Sequence, residues 1–171
     1  MHFIKVLSIC FTLYLISLSI YAETATSIER CENLTDQKQF YCYEQLARQG
    51  AVEAQLHLAQ QYSLGNIVKK DTFKALYWYQ KAAEQNNAHA QYQLASMYYS
   101  GEGTQEDKHK AFYWHQKAAE QDYAYAQYQL AVLYYSGQGI GQDKQKARYW
   151  FQKAEEQGFL GAKDMLQLLF K

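Results

Sequence analysis

The residues that could carry out catalysis or bind a metal do not combine into a recognisable site in this sequence. It contains no Gly-x-Ser-x-Gly nucleophile motif, no His-Glu-x-x-His zinc motif and no phosphate-binding glycine loop. No serine after residue 22 is followed three positions later by a lysine, so serine–lysine acyl chemistry is not expected. The histidines do not converge, since His109 and His115 are six residues apart on one predicted helix. We therefore expect no catalytic, cofactor-binding or metal-ligating residues, and a protein that is not an enzyme.

Composition narrows the possible partners. Seventeen basic and 17 acidic residues give a net charge of zero, which provides no basic surface for nucleic acid.

The composition also indicates a folded, helical chain. Hydrophobic residues make up 49% of the chain, which is enough for a folded core. Proline is absent. Because proline breaks helix interiors, its absence is typical of a chain that is almost entirely helical.

The first 22 residues have the layout of a secretory signal peptide. A short start with Lys5 precedes an apolar run over 6–20, and Ala22 is the small residue before the predicted cleavage. An uncleaved membrane anchor is the alternative, although the run is short for a span of roughly 20 residues. Cleavage would leave an exported chain from Glu23, periplasmic or secreted, with no integral membrane span.

Export changes the interpretation of the cysteines. Cys10 lies in the predicted signal, which leaves Cys31 and Cys42 as a pair in an oxidising compartment. A Cys31–Cys42 disulfide is the favoured prediction, and two buried free thiols are the alternative. A zinc site would need four ligands, which these two cysteines do not supply.

The chain repeats itself every 36 residues. Residues 88–123 and 124–159 are identical at 23 of 36 positions, and 52–87 has the same pattern. These three units are flanked by a degenerate N-terminal capping repeat with the predicted disulfide, 23–51, and by a C-terminal capping helix, 160–171. The predicted domain order is therefore signal peptide (1–22), N-terminal cap, three repeats and C-terminal cap.

Each repeat is predicted to form two helices. Ala90, Leu94 and Tyr98 lie on one face of the first helix, which ends at the glycines of Ser-Gly-Glu-Gly. Asp107 has the position of an N-cap for the second helix, as do Asp71 and Asp143 in the other repeats. Trp114 and its equivalents Trp78 and Trp150 are predicted to fill the space between the helices. Stacking of such units makes the fold class all-α, an α/α superhelical solenoid.

These motifs resemble the Sel1-like repeat family, a relative of the tetratricopeptide repeat. The resemblance rests on Ala-x-x-x-Leu-Ala-x-x-Tyr, a Gly-x-Gly turn and Asp-x-x-Lys-Ala-x-x-Trp-x-x-Lys-Ala-Ala, and it covers about 52–171. It implies a protein–protein interaction adaptor whose partner is another protein. Some exported relatives are described as penicillin-binding or β-lactamase-like, so an envelope protein of that kind is one alternative function. A binder of cell-wall glycan is another.

First-helix side chains off the apolar stripe are expected to line the concave groove where a partner binds. They are rich in tyrosine and glutamine and almost free of charge, a composition typical of binding surfaces. For Tyr92 and Tyr128, packing between neighbouring helices is an equally good interpretation. The predicted groove residues are His89, Tyr92, Gln93, Tyr99, Tyr125, Tyr128, Gln129 and Tyr135.

Overall fold

The structure is a computed structural model that describes residues 23–24 and 26–170. The predicted signal peptide, 1–22, lies outside these residues. A helical segment at 26–32 precedes the labelled helices, and this part of the chain contains no strand. The labelled helices are α1 (Asp36–Arg48), α2 (Val52–Leu64), α3 (Thr72–Glu84), α4 (Ala88–Ser100), α5 (Lys108–Ala119), α6 (Ala124–Ser136), α7 (Lys144–Glu156) and α8 (Leu160–Leu169).

The chain divides into two compact units, Met1–Leu58 and Ala59–Lys171, and the boundary falls within α2. In the second unit, each helix from α3 to α8 packs against the next one along the chain. The all-α class predicted from the repeat is confirmed, and the fold is that of a helical-repeat solenoid. None of the described helices combines the length and the apolar character that crossing a membrane requires.

The second helix of each repeat begins at an aspartate, as the sequence predicts. The Asp71 carboxylate accepts a hydrogen bond from the Lys74 amide at 3.0 Å, and Asp107 and Asp143 cap α5 and α7 in the same way. The backbone amide of Asp107 also donates to the carbonyl of Tyr98 near the end of α4, at 2.8 Å. One residue therefore starts the second helix and ties it to the end of the first.

Glycine ends the first helices and allows a close approach at the turns. Gly101 and Gly137 have φ values of 73° and 74°, the left-handed conformation of a helix C-cap. Gly103 and Gly139 lie two residues further on, and a Cβ atom on either would collide with backbone atoms of Thr72 or Lys108. Each turn thus contacts the start of the preceding repeat's second helix at a distance that only glycine permits.

The core of the second unit consists of alanines and a few large side chains. Ala111, Ala118 and their equivalents are fully buried, which lets the helices approach closely. The tryptophans fill the space between the helices only in part: all three are half-buried, and Trp150 packs against the edge of the core. Trp114 is half-buried and packs edge-on against Tyr113 at 5.0 Å, whereas the next residue is the buried one. The buried large side chains of the second helices are Tyr79, His115 and Phe151.

Buried glutamines link consecutive repeats. Gln91 and Gln127 are buried, and the amide nitrogen of each donates to a carbonyl at the end of the preceding helix, Ala83 or Ala119. The Gln91 side-chain oxygen accepts a hydrogen bond from Gln121 at 2.7 Å, and that of Gln127 accepts one from Gln157 at 2.8 Å. These bonds satisfy polar groups that would be costly to bury alone.

In the first unit, a disulfide joins Cys31 to Cys42 over a sequence separation of 11 residues. Cys31 is buried, and Cys42 lies in α1, so the bond fastens the segment before α1 to that helix. The ring of Tyr43, the next residue, stacks on His57 with their centres 3.9 Å apart. The covalent link therefore lies beside an aromatic contact within the same unit.

Candidate partner-binding face

The first-helix face consists of the side chains of α4 and α6 that lie off the buried stripe. That stripe contains Leu94 and Leu130 with the alanines around them, and it turns the predicted groove residues to the other side of each helix. All eight of those residues lie within the second unit, and none carries a formal charge at neutral pH when histidine is neutral. The structure separates them into an aromatic end and a cavity end.

The aromatic end lies at the N-terminal ends of α4 and α6. The rings of Tyr92 and Tyr123 are 5.5 Å apart, and Tyr125 lies 5.7 Å from Tyr123 and packs edge-on against Phe159 at 5.2 Å. Tyr125 is 54% exposed, whereas Tyr92 is half-buried against the core. This end therefore presents one accessible ring, Tyr125, on a layer of packed rings.

Tyr128 is half-buried, and its ring lies 4.9 Å from that of Phe159 and 5.5 Å from that of Phe151. Together with the contacts of Tyr92, this arrangement agrees with the interpretation that both residues pack between neighbouring helices. Their contribution to the face is to support it.

His89 holds one side of the aromatic end. Its Nδ1 lies 3.0 Å from the Tyr123 hydroxyl, while its Nε2 is buried without a partner in the described chain. Burial lowers the pKa of His89, and burial together with the neighbouring Tyr92 and Tyr125 raises the pKa of Tyr123. Both shifts favour the uncharged imidazole and the uncharged phenol. Near pH 7 the two side chains therefore form a neutral hydrogen bond and do not exchange a proton.

The cavity end contains a depression of ≈ 180 Å³ between α4, α5 and α6. Two predicted groove residues, Tyr99 and Gln129, line it; the other lining residues are Ser96, His115, Val132 and Leu133. The Ser96 hydroxyl donates to the Tyr92 carbonyl at 3.0 Å, and the Tyr99 hydroxyl donates to the Gln138 side-chain oxygen at 2.7 Å. Tyr99 is 39% exposed, so its ring is accessible from solvent.

His115 forms part of this cavity and was not among the predicted site residues. It is 3% exposed, and its Nδ1 has no hydrogen-bond partner in the described chain. Burial lowers the pKa of His115 to about 4, which keeps the imidazole neutral near pH 7. The signal was present in the sequence, because Tyr79 and Phe151 have large aromatic rings at the same repeat position.

The two remaining predicted residues lie apart from the cavity. Tyr135 is half-buried, with its ring 6.2 Å from that of Phe170 and the Lys144 ammonium 5.8 Å from its centre. Gln93 is half-buried on α4. Tyr99 and Tyr135 thus occupy equivalent repeat positions in different surroundings, and only the former lines the cavity.

The described residues contain no group of three or more histidine, cysteine, aspartate or glutamate side chains arranged to hold a metal ion. In the cavity, the Ser96 proton is directed to a backbone carbonyl rather than to a base. Chemically, the arrangement offers neutral hydrogen-bonding groups beside apolar walls, which is suited to binding.

The model of the Sel1 repeat matches three consecutive segments of the chain, 52–87, 88–123 and 124–159. The chain belongs to the Sel1 repeat family. Proteins of this family are generally non-enzymatic helical scaffolds that bind other proteins. The family resemblance inferred from the repeat motifs is therefore confirmed. No curated protein matches the chain.

Solved structures agree with the family. A protective antigen of uropathogenic Escherichia coli with an SLR fold is 29% identical, with a TM-score of 0.81 over 89% of this chain. This chain spans only 35% of the length of that antigen. A Sel1 repeat protein from Oxalobacter formigenes is 34% identical, with a TM-score of 0.69, over 73% of this chain and 94% of its own. Cysteine rich protein B of Helicobacter pylori, 23% identical with a TM-score of 0.59, covers 72% of this chain and 94% of its own and shows the same fold.

Proposed function

We propose that this Sel1 repeat protein is a non-enzymatic interaction scaffold that binds a segment of another protein along its first-helix face. The observation that carries the proposal is the cavity between α4, α5 and α6, which opens on a face of tyrosines and glutamines. Tyr99 lines that cavity, and Tyr125 is exposed at the other end of the face. Tyrosine gives a large contact area with a polar tip, which makes it common among the residues that dominate protein interfaces.

We propose further that the protein is exported to the periplasm or secreted. Two features support this: the signal-like first 22 residues and the disulfide between Cys31 and Cys42, a bond that persists mainly in oxidising compartments. The partner is then a protein of the same compartment.

Site-specific photo-crosslinking in the exported, full-length protein tests the binding face. A benzophenone amino acid replaces Tyr125, which is 54% exposed on α6, and in a matched control it replaces Tyr113, 50% exposed on the second helix α5. We expect a discrete protein adduct from position 125 in intact cells and none from position 113. Equal adducts from both positions would place the partner elsewhere.

The rival functions have their own assays with the same purified protein. Stoichiometric covalent labelling by a fluorescent penicillin would contradict the non-enzymatic scaffold. Retention on insoluble peptidoglycan that is lost when Tyr125 is changed to alanine would show that the face binds glycan instead of protein.

A further inference from the structure

We propose that the cavity lined by Ser96, Tyr99, His115, Gln129, Val132 and Leu133 is a pocket for one phenol side chain, a tyrosine of the bound partner. The proposal rests on the protein-binding role of the first-helix face and names what that face recognises. The cavity of ≈ 180 Å³ is smaller than typical pockets for whole ligands, roughly 300–1,000 Å³, and is suited to one side chain.

The cavity lies beside a histidine that occupies the position of a larger ring. In the third repeat, Phe151 has two ring neighbours, Tyr128 at 5.5 Å and Phe170 at 6.4 Å. His115 keeps the first contact, to Tyr92 at 5.5 Å.

The second contact is lost in the middle repeat. Tyr134 is the repeat equivalent of Phe170, and it packs edge-on against Phe112 at 5.2 Å. The imidazole is smaller than a phenyl ring and lacks the second ring contact. The cavity lies beside it, between residues of the second repeat (Ser96, Tyr99 and His115) and residues of the third (Gln129, Val132 and Leu133).

The polar groups around the cavity can accept a hydrogen bond from a ligand. The hydroxyl protons of Ser96 and Tyr99 are already donated to Tyr92 and Gln138, so both oxygens retain free lone pairs. The Gln129 side-chain amide also lines the cavity and can both donate and accept. A bound hydroxyl would therefore find acceptors and a donor within the pocket.

The walls exclude a charged ligand and favour a ring. Within the described chain, none of the six lining residues supplies a formal charge to pair with an ammonium or a carboxylate, and burying an unpaired charge is costly. The Lys108 ammonium, 5.6 Å from the Tyr99 ring centre, is paired with Glu106 at 3.3 Å. Val132 and Leu133 provide apolar surface for the body of an aromatic side chain. A phenol combines that body with a neutral hydroxyl tip.

Titration of the isotope-labelled protein with p-cresol, followed by NMR, tests the pocket without the partner. We expect saturable shifts of the His115 ring proton and of the Val132 and Leu133 methyl groups, with a Kd on the order of millimolar. Toluene should bind several-fold more weakly, and n-butylammonium and butyrate should produce no saturable shift at these residues. Equal affinity for toluene and p-cresol, or preference for a charged probe, would overturn the phenol assignment.

Filling the cavity provides the matched variants. His115→Phe introduces the residue of the next repeat, and Ser96→Leu fills the space from α4, where the lost hydroxyl bond is only to its own helix. At least one of these two variants should have the circular dichroism spectrum of the parent and bind p-cresol about tenfold more weakly or worse. The control Tyr113→Phe, exposed on α5 and not among the lining residues, should bind p-cresol like the parent. A folded filled variant that binds p-cresol with the parent's affinity would overturn the pocket.

The photo-crosslinked partner separates this inference from the proposed function. With the benzophenone at position 125, His115→Phe should reduce the adduct at least about tenfold. An undiminished adduct together with no p-cresol binding would leave the scaffold standing and overturn the pocket. Binding of p-cresol without any protein adduct would contradict the scaffold while the phenol site stood.

Discussion

Gly103 and Gly139 lie against the starts of second helices in the same way in two successive repeats. The cavity of the first-helix face, in contrast, includes Ser96 and His115, two positions at which the residue differs from repeat to repeat. We call the turns between the two helices of a repeat the turn side. In two successive repeats it has the same three features: an aspartate N-cap (Asp107, Asp143), a glycine C-cap (Gly101, Gly137) and a glycine packed against the preceding repeat (Gly103, Gly139). The cavity exists where the pattern changes, at His115 between Tyr79 and Phe151. We therefore expect the stability of the array to depend on the contacts that the repeats share, and the proposed recognition to depend on the positions at which they differ.

The turn side should give the largest loss of stability when it is changed. Gly139→Ala places a Cβ against the backbone of Lys108 at a φ of 76°, so neighbouring repeats must move apart. We expect a loss of more than about 3 kcal/mol in the free energy of unfolding, measured by urea denaturation.

Gly158→Ala is the matched control for this change. Gly158 has a similar φ of 81°, but a Cβ there would meet nothing within 4 Å. Its replacement should cost only the left-handed conformation, roughly 1 kcal/mol. Equal losses for the two variants would mean that the close approach of the turns contributes nothing.

His115, which lines the cavity, should make the free energy of unfolding depend on pH between about 4 and 6.5, a range in which the turn side contributes no such dependence. The His115 pKa is about 4 in the folded chain and about 6.5 when unfolded, so the unfolded chain binds more protons between these values. The free energy of unfolding is therefore unaffected by His115 above pH 6.5. It decreases as the pH is lowered, by roughly 3 kcal/mol near pH 4. His89 is half-buried and its pKa is also lowered by burial, so it acts in the same direction.

Urea denaturation across this range, on the parent and on His115→Phe, measures the effect. The variant should show a much flatter profile between pH 6.5 and 4. The pKa values of the Asp71 and Asp107 carboxyls are lowered by the hydrogen bonds from their capped helices, so their contribution is lost only at lower pH. A profile that His115→Phe leaves unchanged would assign the acid sensitivity to other groups.

The disulfide differs from the glycine contacts because it joins the segment before α1 to the helix of its own unit, whereas Gly103 and Gly139 contact the preceding repeat. By the 36-residue period, Cys31 occupies the position of Gly103 and Gly139, and it is bonded to a helix. Replacing both Cys31 and Cys42 with alanine should cost roughly 2–3 kcal/mol, because a short closed loop limits the unfolded chain. Mass spectrometry of native protein alkylated without reductant is the direct check, since two modified thiols would contradict the bond.

The sequence predicted the parts of the fold that depend on local chemistry. Aspartate caps and glycine ends act through their own backbone, so Asp107 and Gly101 could be placed without knowledge of their neighbours. The buried residue of the second helix could not be chosen in this way. Tyr113, Trp114 and His115 are three consecutive aromatic side chains about 100° apart around the helix, and packing against the first helices decides which one is buried.

The candidate site was predictable only in part. Tyr99 and Gln129 were found because they lie off the apolar stripe. How far each side chain of that face is buried depends on contacts between repeats, which partly bury Tyr92 and Tyr128 and leave Tyr125 exposed. Gln127 was missed because a polar side chain gives no hydrophobic signal, although it is completely buried.

The paired glutamines have a consequence for how such a chain can grow. A copy of 88–123 contains the Gln91–Gln121 hydrogen bond within itself, and its Gln91 also donates to the Ala83 carbonyl of the preceding unit. Gln127 and Gln157 repeat the first bond one unit later, and Gln127 donates to Ala119 in the same way as Gln91 to Ala83. A duplicated unit therefore brings its own donor and acceptor in register, along with the glycine that lets it sit against its neighbour. Lengthening the array needs no new interface, so its length can change by unequal recombination while the residues lining a single pocket diverge independently.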